Sequence, residues 1–357
     1  MRKYLKFTIL TLVAVAVLWW FGRDLDWVGV RAALGRSDWR FIAAAVAVVS
    51  AIYVMRAFRW RAFLAPLAEG VSLRELFAAT TVGFGAVFLL GRAGEVVRPA
   101  FLSLRERRVS AGASFVTIGV ERIYDMSAIV LMFAANLLVF RAPGGGDAAA
   151  YARVRAGGFI LLLLAVGGIV ALILFRRYAD TVIGALERLF GRGEGILARA
   201  GKILTGILAQ LARSLSVLTD ARALLVTVGW TALIWLAILA ANALVLRAFG
   251  LRLGISATIF MLGWSLVGSL VPTPGGAAGT YHLATAYGLM FLGVSETEAK
   301  ATAIVLHLVV FSPAVFFGLY YFLRSDVSLA RLRNLASTEE AEDAEPKQER
   351  IHAAPVA

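Results

Sequence analysis

The sequence predicts an all-α polytopic membrane protein with about six full transmembrane helices and two re-entrant helical hairpins, arranged as an inverted repeat. Three observations lead there. Apolar residues make up 60% of the 357 and fall in long unbroken stretches, while charged residues make up only 17%. The 36 Lys+Arg outnumber the 23 Asp+Glu, and the basic residues cluster at the ends of the apolar stretches, which is how membrane proteins use charge. Two of the apolar regions are interrupted midway by glycine and proline, at lengths too short for one crossing on either side. This composition excludes a disordered chain, a disulfide scaffold and a cysteine-based zinc domain, since there is no cysteine. It also disfavours an ordinary soluble enzyme and a nucleic-acid-binding protein, because the positive charge is not gathered on a polar surface.

A helix needs about 20 mostly apolar residues to cross roughly 30 Å of hydrocarbon. Six segments qualify or nearly so: Leu5–Phe21, Phe41–Met55, Ala111–Phe140, Gly157–Phe175, Ala223–Leu246 and Ala301–Leu323. The first follows Arg2, Lys3 and Lys6 but ends in Leu18-Trp19-Trp20-Phe21 without a small-residue cleavage pattern, so it reads as a retained anchor and not a signal peptide.

The interrupted regions come next. Glu75–Leu90, about 24 Å as a helix, runs into Gly91-Arg92-Ala93-Gly94-Glu95, and a short arm, Val96–Leu104, follows. Ile255–Val271 runs into Pro272-Thr273-Pro274-Gly275-Gly276, and Ala277–Leu292 follows. Prolines remove helix donors and glycines permit the turn. Two kinked full spans would be the alternative; the short arms and central breaks favour hairpins that enter the membrane and return. With the N-terminus inside and both hairpins returning, the inside segments 1–6, 56–74, 105–108, 176–222 and 324–333 carry 21 Lys+Arg against 10 on the outside segments. That bias has the sign of the positive-inside rule and sets both termini in the cytoplasm. Span 41–55, hairpin 75–104 and span 111–140 then form one triplet, and 223–246, 255–292 and 301–323 form an inverted second. That architecture puts a site where the broken helices meet.

The remaining segments carry less. Residues 176–222 have amphipathic spacing, broken at 191–195, and should lie on the inner surface beside a transmembrane domain spanning 1–323. The tail, 324–357, is acidic towards its end, poor in large apolar residues, and should be largely disordered.

Charges inside spans are costly and need a partner or a wet cavity. Three clusters stand out: Arg92, Glu95 and Arg98 at the first break; Glu121, Arg122 and Asp125 in span 111–140; and the second break with Tyr281, His282 and, on the last span, His307. Glu121 and Asp125 are four apart and share a helix face. One reading has the arginines simply neutralising the acids and the histidines serving as satisfied bundle residues. The other has Arg92 and Arg98 turning toward one cavity to bind phosphate oxygens, with Glu121 taking up a proton or amino headgroup, so that Glu121→Gln would keep the fold and lose transport.

The stretch Leu90-Gly91-Arg92-Ala93-Gly94-Glu95-Val96-Val97-Arg98-Pro99, then Glu121-Arg122-Ile123-Tyr124-Asp125, then Pro272-Thr273-Pro274-Gly275-Gly276, resembles the flippase-like transmembrane domain of the lysylphosphatidylglycerol synthase family over roughly residues 5–323. The resemblance implies a multi-pass plasma (inner) membrane protein that moves, or helps to move, a lipid between leaflets. It carries a binding role onto Arg92, Glu95, Arg98, Glu121, Arg122 and Asp125 and a helix-breaking role onto Gly91, Gly94, Pro274, Gly275 and Gly276. Many members have a glutamate after the Pro-Gly-Gly where this chain has Tyr281-His282, and only 34 residues follow Leu323, too few for the aminoacyl-transfer domain of two-part members. The expected partner is a membrane lipid, a phospholipid or a polyprenyl phosphate, with no cofactor, metal, nucleic acid or catalytic residue. The competing functions are an intramembrane enzyme acting on a lipid headgroup and a non-transporting accessory protein of envelope synthesis. The former lacks any recognisable catalytic or ATP-binding motif.

Overall fold

The computed structural model describes residues 27–68, 70–140, 148–190, 221–271 and 274–327, together with 201, 205, 206 and 208. The expected first span, the 191–195 break, Pro272 and the tail from 328 lie outside the described residues, as does the Arg92 side chain. The described chain is helical: α1 (Trp27–Arg36), α2 (Trp39–Leu64), α3 (Leu73–Leu90), a 3-10 turn (Gly91–Val96), α4 (Val97–Arg105), α5 (Ala111–Val139), α6 (Ala148–Phe190), α7 (Ala221–Ala248), α8 (Ile255–Ser269), α9 (Pro274–Phe291) and α10 (Glu296–Arg324). Four of these, α2, α5, α7 and α10, are long and apolar enough to cross a membrane. They also expose large apolar side chains such as Leu225, Leu236 and Phe316. Exposed apolar faces of that extent are matched by lipid, not by water. The protein is an all-α polytopic membrane protein.

Local chemistry sets the ends of α2. Asp38 caps its start, accepting a hydrogen bond of 2.9 Å from the Arg40 amide. The helix stops at Ala65, whose amide still donates to the Arg61 carbonyl, because Pro66 has no N–H with which to continue the ladder. The span expected to end at Met55 therefore continues for nine more residues, and Arg56, Arg59 and Arg61, counted with an inside loop, lie within the helix. Without them the inside count falls from 21 to 18 and the sign of the bias is unchanged.

Both interrupted regions fold back on themselves. In the first, Gly94 lies against the backbone of Ala86, Gly83 against Arg98, and Arg105 pairs with Glu75, so the arms are antiparallel. Gly91 makes the turn possible with φ +62°, a region that costs other residues dearly. In the second, Gly268 meets Thr280, Thr285 donates to Ser265 at 2.8 Å, and Phe260 packs on Phe291. Its turn is a left-handed run of Gly275, Gly276 and Ala277, the last being the one non-glycine among the described residues with positive φ.

Helix α2 packs on α7 and α3 on α10. One core joins Ala45, Val49 and Ile52 to Ile234, Val245 and Leu306, and a second lies around Trp60, Leu76 and Phe101. Helix α6, 43 residues and roughly 65 Å long, packs chiefly on α5. It runs without a break through position 176, where a separate amphipathic segment was expected to begin, because nothing between Arg176 and Phe190 interrupts helical geometry.

Candidate functional site

The site grows out of three helices. On α5, Glu121 and Asp125 project from one face, one turn apart. On α2, Arg56 and Arg59 are three apart and face them. The third contributor is α4, whose Arg98 reaches the cluster because Gly83 on α3 leaves room: a Cβ there would stand 2.4 Å from the Arg98 Cβ.

These residues form one ion cluster. Arg59, fully buried, is bidentate to Asp125, with Nη1–Oδ1 2.7 Å and Nη2–Oδ2 3.1 Å, and its Nη2 lies 3.1 Å from Glu121. Arg98 is bidentate to Glu121 at 3.0 and 3.1 Å, and its guanidinium lies 4.0 Å over the Trp60 ring. Trp60 in turn donates to Thr117 at 3.0 Å, which fixes the ring. Arg59 also donates to Thr231 at 3.2 Å and Trp235 donates to Asp125 at 3.3 Å. Arg56 stands apart. Its Nη1 is 3.5 Å from Glu121 and 3.6 Å from Asp125, both already engaged, and its side chain is 11% exposed. Three guanidinium groups thus face two carboxylates, and the loosely held one carries the excess.

Arg56 opens onto a cavity of about 570 Å³ enclosed by α2, α3, α5, α7, α8, α9 and α10. The charged side chains described on its wall are Arg56, Asp125, Glu95 and Arg122; the neutral polar ones include Asn242, Ser265, Ser269 and Tyr281. The rest is largely apolar, with Phe84, Trp235 and Phe311 among it. Glu95 and Arg122 pair across 3.8 Å with both side chains partly exposed. Gly91 and Gly276, one from each break, also line the wall, so the two hairpins meet at this cavity.

The expected residues divide accordingly. Glu95, Arg122, Asp125 and Tyr281 line the cavity; Arg98 and Glu121 sit behind it in the ion cluster. His282 is buried off the wall, its ring 4.7 Å from that of His307, whose Nε2 lies 3.2 Å from the Gly276 carbonyl. Arg56, Arg59 and Trp60 escaped the sequence reading because the apolar run was ended at Met55. Pro66 was the true stop signal, and the spacing of Arg56 and Arg59 on the continued helix would have exposed their common face. Among the described residues no group of three His, Asp or Glu side chains could hold a metal ion.

A family model for the lysylphosphatidylglycerol synthase TM region matches residues 7–318. The chain belongs to that family. It is also similar to a protein named glycosyltransferase AglD from Haloferax volcanii, 24% identical over 355 residues, covering 90% of this chain and 54% of the relative. The chain therefore spans about half the length of that relative.

Proposed function

We propose that the protein moves, or assists the movement of, a phosphate-bearing lipid between the two leaflets, with the headgroup in the cavity beside Arg56 and the hydrocarbon chains left in the bilayer. The observation that carries this reading is Arg56: a partly exposed guanidinium without a tight carboxylate partner, on the wall of a mostly apolar cavity. Arginine suits phosphate because its planar fork pairs with two oxygens and stays charged away from water. Behind it, Arg59, Arg98, Glu121 and Asp125 act as a rigid frame, while Glu95, Arg122 and Tyr281 are the further residues proposed to meet the headgroup.

Two further features support translocation over static binding. Each hairpin contributes a break to the cavity wall, which is the arrangement in which an inverted repeat alternates access around a central site. Helix α2 also packs against α7, its counterpart in the proposed repeat. The family is named for a synthase and the relative for a glycosyltransferase, so the region this chain has in common with both is read as serving the lipid and not either chemistry.

The test is a reconstituted-vesicle assay following a fluorescent phospholipid from the outer to the inner leaflet. Wild-type protein should accelerate the exchange, Arg56→Gln should abolish the acceleration, and Arg56→Lys should retain only part of it. Transport by Arg56→Gln at the wild-type rate would refute the reading.

A further inference from the structure

We infer that the cavity selects lipids of net negative charge, and that the lysylated phospholipid after which the family is named is a poor occupant. This rests on the preceding reading that a phosphate-bearing headgroup enters the cavity; the new element is the charge class of that lipid.

The inference comes from a charge count over the described side chains. Arg59 is matched by Asp125 and Arg98 by Glu121, each through two hydrogen bonds. Arg122 is matched by Glu95 at 3.8 Å. Arg56 is left over, 3.5 and 3.6 Å from oxygens that other guanidinium groups already hold. The polar remainder of the wall includes Asn242, Ser265, Ser269 and Tyr281, all neutral.

An ion beside mostly apolar walls interacts more strongly than in bulk water, so an occupant that leaves the site charged is disfavoured. A phosphodiester lipid with an uncharged headgroup brings one negative charge and neutralises Arg56. A zwitterionic lipid brings none in sum. A lysyl ester adds two ammonium groups to one phosphodiester, bringing a net positive charge to a site that is already positive. Of the two carboxylates on its wall, Asp125 is held by Arg59 through two hydrogen bonds and Glu95 faces Arg122 at 3.8 Å, so the acids there do not outnumber the guanidinium groups.

The experiment is competition binding by native mass spectrometry on the full-length detergent-purified protein. The probes are phosphatidylglycerol, phosphatidylcholine, lysylphosphatidylglycerol and a phosphate-free diacylglycerol glycolipid. Phosphatidylglycerol should bind at least about tenfold more tightly than the lysylated lipid, with phosphatidylcholine between them. Arg56→Gln should shrink that ratio toward unity, Arg56→Lys should largely keep it, and Arg56→Glu should reverse it. Equal or tighter binding of the lysylated lipid by wild-type protein, or a ratio unchanged in Arg56→Gln, overturns the inference while both phospholipids still exceed the glycolipid. Should the glycolipid bind as tightly as phosphatidylglycerol, the phosphate reading itself fails and this inference falls with it.

Discussion

Glu121 and Arg56 should respond to neutralisation in opposite ways. Glu121 holds Arg98 through both oxygens, lies 3.1 Å from Arg59 and 3.5 Å from Arg56, and is 2% exposed. Glu121→Gln leaves three guanidinium groups against Asp125 alone, so the cluster moves from one excess positive charge to two. Removing one partner of a buried ion pair costs about 3–5 kcal/mol, because the remaining charge stays buried without compensation. At the entropy of unfolding of a chain this long, that lowers Tm by about 4–7 °C. Arg56→Gln instead takes the cluster to neutrality and breaks only contacts of 3.5 and 3.6 Å, so Tm should shift by less than about 3 °C. The assay is the thermal stability of detergent-extracted protein, read as the monodisperse peak surviving a heat step. A Glu121→Gln protein that melts with the wild type, or an Arg56→Gln protein that loses about 4 °C or more (the range of the Glu121 effect), would refute the division into frame and headgroup ligand. The outcome expected from sequence alone, a folded but inactive Glu121→Gln, would favour a direct role for that carboxylate.

Three further predictions follow from the fold. Gly94→Ala puts a Cβ 2.3 Å from the backbone of Ala86 and Val87, so the first hairpin must open; a loss of about 1–3 kcal/mol or more should appear in the same melting assay. Ala277→Gly relieves a left-handed residue at φ +65° and should raise stability by about 0.5–1 kcal/mol, measured likewise, with no gain if the turn is unstrained. For topology, Arg107→Cys should resist an impermeant thiol reagent in intact cells while Ser295→Cys is labelled; labelling at the first position would overturn the inward-returning hairpin.

Much of this molecule could be read from local pattern. The length of the apolar runs determines that α2, α5, α7 and α10 are membrane helices, and Gly91 with Gly94, and Gly275 with Gly276, determine where two regions turn back. Such features are encoded within a few residues by backbone conformational freedom and helical rise, so they survive without knowledge of neighbours. The acidic pair on α5 was legible for the same reason, as an i,i+4 spacing. What belongs to the tertiary structure is the pairing. From sequence Arg98 was grouped with Glu95 and Arg92, yet packing of α4 against α3 at Gly83 delivers it to Glu121, and Glu95 meets Arg122 instead. Arg59 looked like an inside-loop residue and is the most buried cation in the cluster, and Arg56 beside it is the one left with the loosest partners. Ion pairs between helices depend on which faces meet and how closely, and those are set by the shapes of many distant side chains. The excess charge on the cavity wall, on which the functional reading rests, is therefore a property of the packed bundle and of no single segment.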